Sequence, residues 1–175
     1  MFSLLGYAAE RLGFTKEAQV SPCQQITQWT CSAACLKAVL NHWGHDFPET
    51  VLTLAIGAKK GRGAETTEIV EAAKFFGFEA FEKSFDSLDA AGKLANLGAP
   101  IICDIQSFNH PGKGHYVVLT GINDEGVHLM DPNVEGNTRV ITPEEMEERW
   151  FDHAMAPPHV EMIRWGVVVY PPDLK

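Results

Sequence analysis

Among the 175 residues of this chain, Cys31, His115, Asp131 and Gln25 are the side chains whose types and spacing suit acyl-transfer chemistry. A thiol attacks carbonyl carbon only as thiolate, and a helix N-terminus or an imidazolium stabilises that form. Cys31 opens the run CSAACLKAVLNHW, whose apolar positions 34, 35, 38, 39 and 43 recur at helical spacing before Gly44 ends it. Thr30 is placed as the N-cap, which puts Cys31 on the first turn. An imidazole must come from elsewhere, with a carboxylate or amide fixing its ring. His115 begins the β-rich run HYVVLTGI, and Asp131 ends the next one, VHLMDP, so a hairpin would bring the two to one end of a sheet. Gln25, six residues before Cys31, offers an amide that could serve a developing oxyanion together with the Cys31 N–H.

A cysteine and a histidine occur in most chains of this size, so spacing alone leaves ordinary readings open. Cys31 could be a buried helical thiol, His115 a strand residue, Asp131 a turn initiator before Pro132, and Gln25 a surface amide beside Gln24 and Gln28. Cys35, one turn after Cys31, and Cys103, within a strand, read as core. Cys23 reads as a bystander close enough to oxidise onto Cys31. A zinc site built from Cys23, Cys31 and Cys35 with His42 or His45 fits no common ligand spacing. His110 reads as a loop-tip residue, His128, His153 and His159 carry no role, and Trp29 is the tryptophan nearest Cys31.

The elements that must position these groups come in a readable order. Phe2, Leu5, Ala8, Ala9 and Leu12 mark a short amphipathic helix over residues 1–15, within an N-terminal extension over 1–20 ahead of a single domain over 21–175. Helices are expected from Cys31, over 48–57, over 66–77 with a Thr66 cap, over 86–98 and over 142–150 with proline at its first position. Strands are expected over 78–85, 100–106, 115–122, 127–132 and 164–170. Helices first and a mostly antiparallel sheet after them make an α+β fold.

Bulk composition removes other classes. A net charge of −9 with a pI near 5.2 argues against nucleic acid, whose phosphates need clustered Lys and Arg. The short basic knot Lys59, Lys60, Arg62 lacks the ending of a phosphate loop. No apolar run approaches the ~20 residues of a membrane span, and the N-terminus lacks a secretory pattern, so a cytoplasmic chain with free thiols is expected.

The segment QITQWTCSAACLKAVLNHWG over 25–44 resembles the signature of the bacteriocin-processing peptidases, family thirty-nine of the cysteine peptidases, which cut after double-glycine leaders. GHYVVLTGI and VHLMDPNVEG resemble that family's His and Asp segments, GRGAETTEIVEAAKFFGFEA the helix and strand between, and TPEEMEERW the helix after. The resemblance, running from about 25 to 152, implies a papain-like fold with Cys31 as nucleophile, His115 as base, Asp131 as orienter and Gln25 as oxyanion donor. It also implies a peptide substrate; no cofactor is expected, and without membrane helices the chain would act alone or with a separate transporter as partner. Ser32 and Thr30 depart from the family's glycine after and acidic residue before the nucleophile. Ser32 would then narrow the site, and Ala33 and Ala34 would suit a narrow cleft. Two other classes fit the same residues: a non-cleaving peptide-binding module, and an acyl transferase or deamidase.

Overall fold

The computed structural model describes residues 18–110, 112–153 and 161–174; the helix expected over 1–15 and His159 lie outside them. Helix α1 spans Cys31–His42, α2 Glu49–Ile56, α3 Thr66–Phe75, α4 Leu88–Asn96 and α5 Pro143–Arg149. Strands β1 Glu79–Ser84, β2 Ile101–Gln106, β3 Gly114–Asn123, β4 Gly126–Met130, β5 Thr138–Ile141 and β8 Trp165–Tyr170 form one sheet in the order β1-β8-β2-β3-β4-β5. Every pairing in it is antiparallel. Short β6 (Phe151–His153) and β7 (Glu161–Ile163) pair separately. The α+β arrangement expected from the sequence is the one observed. The short strands β5, β6 and β7 carry too few residues to show a period and were not anticipated.

Side-chain alternation divides the sheet into two buried faces. Ile102, Tyr116, Val118, Met130, Val167 and Val169 meet α1, α2 and α3 on one side. Ile101, Cys103, Val117, Leu119, Leu129 and Val168 meet α4 and α5 on the other, where Met146 and Trp150 are sealed from solvent. Helix α1 is covered on nearly all sides: Ala33, Ala34, Cys35, Leu36, Val39 and Leu40 are each 0% exposed. Its C-terminal end is pinned as well. Trp43 Nε1 donates to Val169 O at 2.9 Å and His42 Nε2 to Gly98 O at 2.8 Å.

Two expected caps differ from what forms. Thr30 stands at the N-cap position of α1, but its hydroxyl lies with Thr27, accepting from Thr27 N and donating to Thr27 O, so no side chain caps the helix. Thr66 is already inside α3. The cap is Glu65, whose N–H donates to Glu68 Oε2 at 2.8 Å, while the Thr66 hydroxyl bonds Glu82 across to β1.

Because α1 carries Cys31 at one end and core side chains along its length, its docking and its chemistry are coupled. Leu36→Ala is expected to cost about 2–5 kcal/mol of unfolding free energy, read by urea denaturation. A cost under about 1 kcal/mol would contradict the packing described.

Candidate active site

Cys31 is the first residue of α1 and the only half-buried cysteine; Cys23, Cys35 and Cys103 are buried, and all four are free. Burial pushes the other three thiols up, Cys23 to about 11 with Glu49 adding to the effect, so they remain uncharged thiols. The uncapped start of α1, where Cys31 stands, leaves its first backbone N–H groups without a side-chain acceptor.

His115 comes from the start of β3 and Asp131 from the residue after β4. The register that sets Val118 opposite Met130 draws them together. His115 Nε2 lies 2.8 Å from Asp131 Oδ1, with side-chain exposures of 8% and 1%. The carboxyl is held below its ordinary range. Burial alone would raise it, but the His115 hydrogen bond and charge, the Asn133 N–H and Arg139 outweigh that. An anionic acceptor requires the proton on Nε2, which leaves Nδ1 for Cys31, to which the imidazole also hydrogen-bonds. Burial lowers the imidazole's affinity for a proton, while the bonds to Asp131 and Cys31 raise it further, and the net is a shift up to about 9. Cys31, His115 and Asp131 therefore form one connected group.

Asp131 also makes its own turn, as a residue before Pro132 and Asn133 would. Its Oδ1 accepts from Asn133 N at 2.9 Å, and the buried Asn137 closes the loop, its N–H₂ reaching Asp131 O and Val134 O. The turn bond to Asn133 and the bond to His115 are thus made by one side chain. The second oxygen is taken by a residue the sequence reading missed: Arg139 Nε donates to Asp131 Oδ2 at 3.0 Å. The Arg139 guanidinium lies 3.9 Å above the Phe108 ring, within the loop between β2 and β3, and Arg149 approaches the same ring at 4.5 Å. Only the β4–β5 pairing, with Leu129 opposite Arg139, shows why this arginine reaches Asp131.

Gln25 is brought to the same end of the sheet, its N–H donating to Pro132 O at 3.1 Å. Its side chain is buried. Nε2 donates one hydrogen to Thr27 O at 2.8 Å and keeps a second, while Oε1 has no partner among the described residues. Gln24 is instead a structural clamp between Pro132 O and Asn137. Three expectations about the cleft are corrected. Ser32, Ala33 and Ala34 are all 0% exposed, so they fill the interior and do not narrow the site, and the Ser32 hydroxyl has no partner among the described residues. Among the described residues no group of three or more His, Cys, Asp or Glu is arranged for a metal ion. No helix among them is long and apolar enough to cross a membrane.

A helix-borne thiol docked against a strand-borne imidazole, on an antiparallel sheet of this order, defines the papain-like cysteine peptidase fold. The Peptidase C39 family model matches residues 19–158, and the chain belongs to that family of cysteine peptidases. Solved structures agree in fold. A double glycine motif protease from an AMS/PCAT transporter, solved with its leader peptide, is 20% identical with a TM-score of 0.68, covering 89% of this chain and 94% of its own. The peptidase domain of Streptococcus ComA, a bifunctional ABC transporter of a quorum-sensing pathway, is 21% identical with a TM-score of 0.67, covering 90% and 98%. The peptidase domain of Streptococcus mutans ComA is 20% identical with a TM-score of 0.60, covering 87% and 99%. No curated protein matches the chain in sequence.

The His115–Asp131 pair should leave a mark on stability. The imidazole is raised to about 9 in the folded protein from near 6.5, so its contribution is complete below about 6.5 and is lost as pH rises through 9. The Asp131 carboxyl is depressed, so its share is present above the unfolded value near ~3.9 and fades as pH falls through the lower folded value. Urea denaturation of the native chain and of His115→Gln should show a stability gap at pH 6 that shrinks by pH 10. A gap independent of pH would contradict the pairing. Arg139→Met should cost about 1–3 kcal/mol by leaving one Asp131 oxygen unbonded in the interior.

Proposed function

We propose that this chain is an endopeptidase in which Cys31 is the nucleophile, His115 the acid–base, Asp131 the orienter and Gln25 an oxyanion donor. The observation that carries the reading is the buried His115 ring, with one nitrogen 2.8 Å from a depressed carboxylate and the other bonded to the thiol at a helix start. The Cys31 thiolate attacks the scissile carbonyl carbon, and the carbonyl electron pair moves to oxygen. The free hydrogen of Gln25 Nε2 and the Cys31 N–H receive that oxyanion. Protonated His115 gives its proton to the departing amine as the C–N bond breaks, leaving a thioester. Neutral His115 then takes a proton from water, whose oxygen displaces the sulfur and regenerates the pair.

The substrate in this reading is a peptide carrying a leader cut after small residues, and a separate transporter would be the partner. Support comes from membership of the Peptidase C39 family and from the solved relative described as a double glycine motif protease with its leader peptide. Trp29, half-buried beside α1, is placed to contact the bound chain.

Two measurements test this. A library of unstructured peptides incubated with the native chain should yield fragments whose masses sum to the parent plus one water, whereas Cys31→Ala should yield none. Equal fragment spectra from the two proteins would sink the proposal; intact peptides joined to a nucleophile would indicate transfer. The profile of kcat/KM should hold level towards pH 8 and fall as pH passes about 9, where His115 loses the proton it must deliver. A rise through that range would assign the chemistry to another group.

A further inference from the structure

Asp104 is buried and unused by the chemistry above. It sits on β2 with its side chain on the face that presents Ile102 and Tyr116 to α1, and it is 7% exposed. Three groups face it: Asp152 from β6, Tyr116 from β3 and Cys31 from α1. Tyr116 donates its hydroxyl to Ala64 O at 3.0 Å and has Glu65 near it, while Cys103 alternates to the opposite face of the sheet.

Strand β6 crosses the β2–β3 hairpin at this point. A Cβ on Gly114, the residue before His115, would lie 2.0 Å from Asp152 Oδ2 and 3.5 Å from Asp104 Oδ1, so both carboxyl groups converge on a bare Cα. The other oxygen of Asp152 is held apart, accepting from Gln106 Nε2 at 3.3 Å and from His153 N at 2.8 Å. Asp104 and Asp152 thus face each other beside Gly114. Two facing carboxylates repel, and a proton kept by one of them relieves that repulsion. Burial, then the Asp152 charge, raise Asp104 well above the usual carboxylate range although Tyr116 acts the other way, which marks Asp104 as the partner that keeps the proton.

We propose that Asp104 is a positioning residue for the nucleophile: as a neutral acid donating to Asp152 it ties β6 over Gly114 and keeps a second negative charge away from the Cys31 sulfur. The idea rests on reading Cys31 as the reactive thiol. It explains why an aspartate is tolerated in the interior beside a group that works as an anion, and why glycine precedes His115. Loss of the shared proton converts a clamp into a repulsion, since an Asp104 anion would face both Asp152 and the thiolate.

The test reads the sulfur directly and does not require a substrate. Iodoacetamide alkylation of Cys31 in the full chain, followed by mass spectrometry from pH 6 to 9, reports thiolate reactivity; kcat/KM on a cleaved peptide reports turnover. Asp104→Asn supplies an amide that donates to Asp152 without a titrating proton, and both rates should fall by no more than about threefold. Asp152→Asn removes one of the causes that hold the Asp104 proton and so favours a charge beside Cys31. Alkylation should fall by about tenfold or more at pH 8, with a smaller deficit at pH 6. The double variant Asp104→Asn/Asp152→Asn cannot place a charge at either position and should recover to within about threefold. A merely structural contact predicts the reverse, a double variant at least as impaired as Asp152→Asn. That result, an Asp104→Asn as impaired as Asp152→Asn, or an Asp152→Asn indistinguishable from the native chain would each overturn the proposal. If no peptide is cut but the alkylation pattern holds, the peptidase reading fails and this one stands.

Discussion

The bond from His115 Nε2 to Asp131 Oδ1 sets terms that much of the chain is arranged to meet. An anion 1% exposed is costly unless its oxygens are bonded, and here a ring N–H, a backbone N–H and a guanidinium supply the donors. Each donor comes from a different place: β3, the turn after β4, and β5. The register of three neighbouring strands is therefore tied to one carboxylate. Slippage of either pairing by one residue would turn the donors to the other face. The same bond fixes the imidazole tautomer, so strand pairing and ring chemistry are settled together.

Helix α1 answers a second requirement, that the thiol be held at a helix start without that start being covered. A side-chain cap on α1 would occupy backbone donors that here have no side-chain acceptor. Thr30 turns its hydroxyl to Thr27 instead, and the stability forgone there is offset by burial along the rest of the helix. Thr30 stands where the sequence reading placed the cap, and only its side-chain bond to the helix is missing.

Much of the architecture could be read from pattern because the signals are local. The α1 run ends at a glycine, β2 and β3 are dense in β-branched residues, and proline opens α5; each lies within a residue or two of its expected place. Cys31, His115 and Asp131 were legible because their residue types are chemically few and each sits at the edge of a readable element. Arg139 and Asp104 were not. An arginine in RVI and an aspartate in IICDIQ look like ordinary strand residues until pairing shows what lies across from them. Ser32, Ala33 and Ala34 failed for a related reason: proximity in sequence to Cys31 says nothing about which side of a fully enclosed helix a residue faces. The coarse class followed from short-range pattern, and the supporting contacts followed only from long-range pairing.

The position of β8 carries a further consequence. This strand lies between β1 and β2, and its Val169 carbonyl receives the Trp43 indole at the foot of α1. During synthesis, the ribosome releases Cys31, His115 and Asp131 long before it releases residues 165–170. Until then β1 has no strand joining it to β2, and the helix that bears the sulfur lacks one of its two anchors. Cys31 thus reaches its final setting only after residue 169 has emerged and docked.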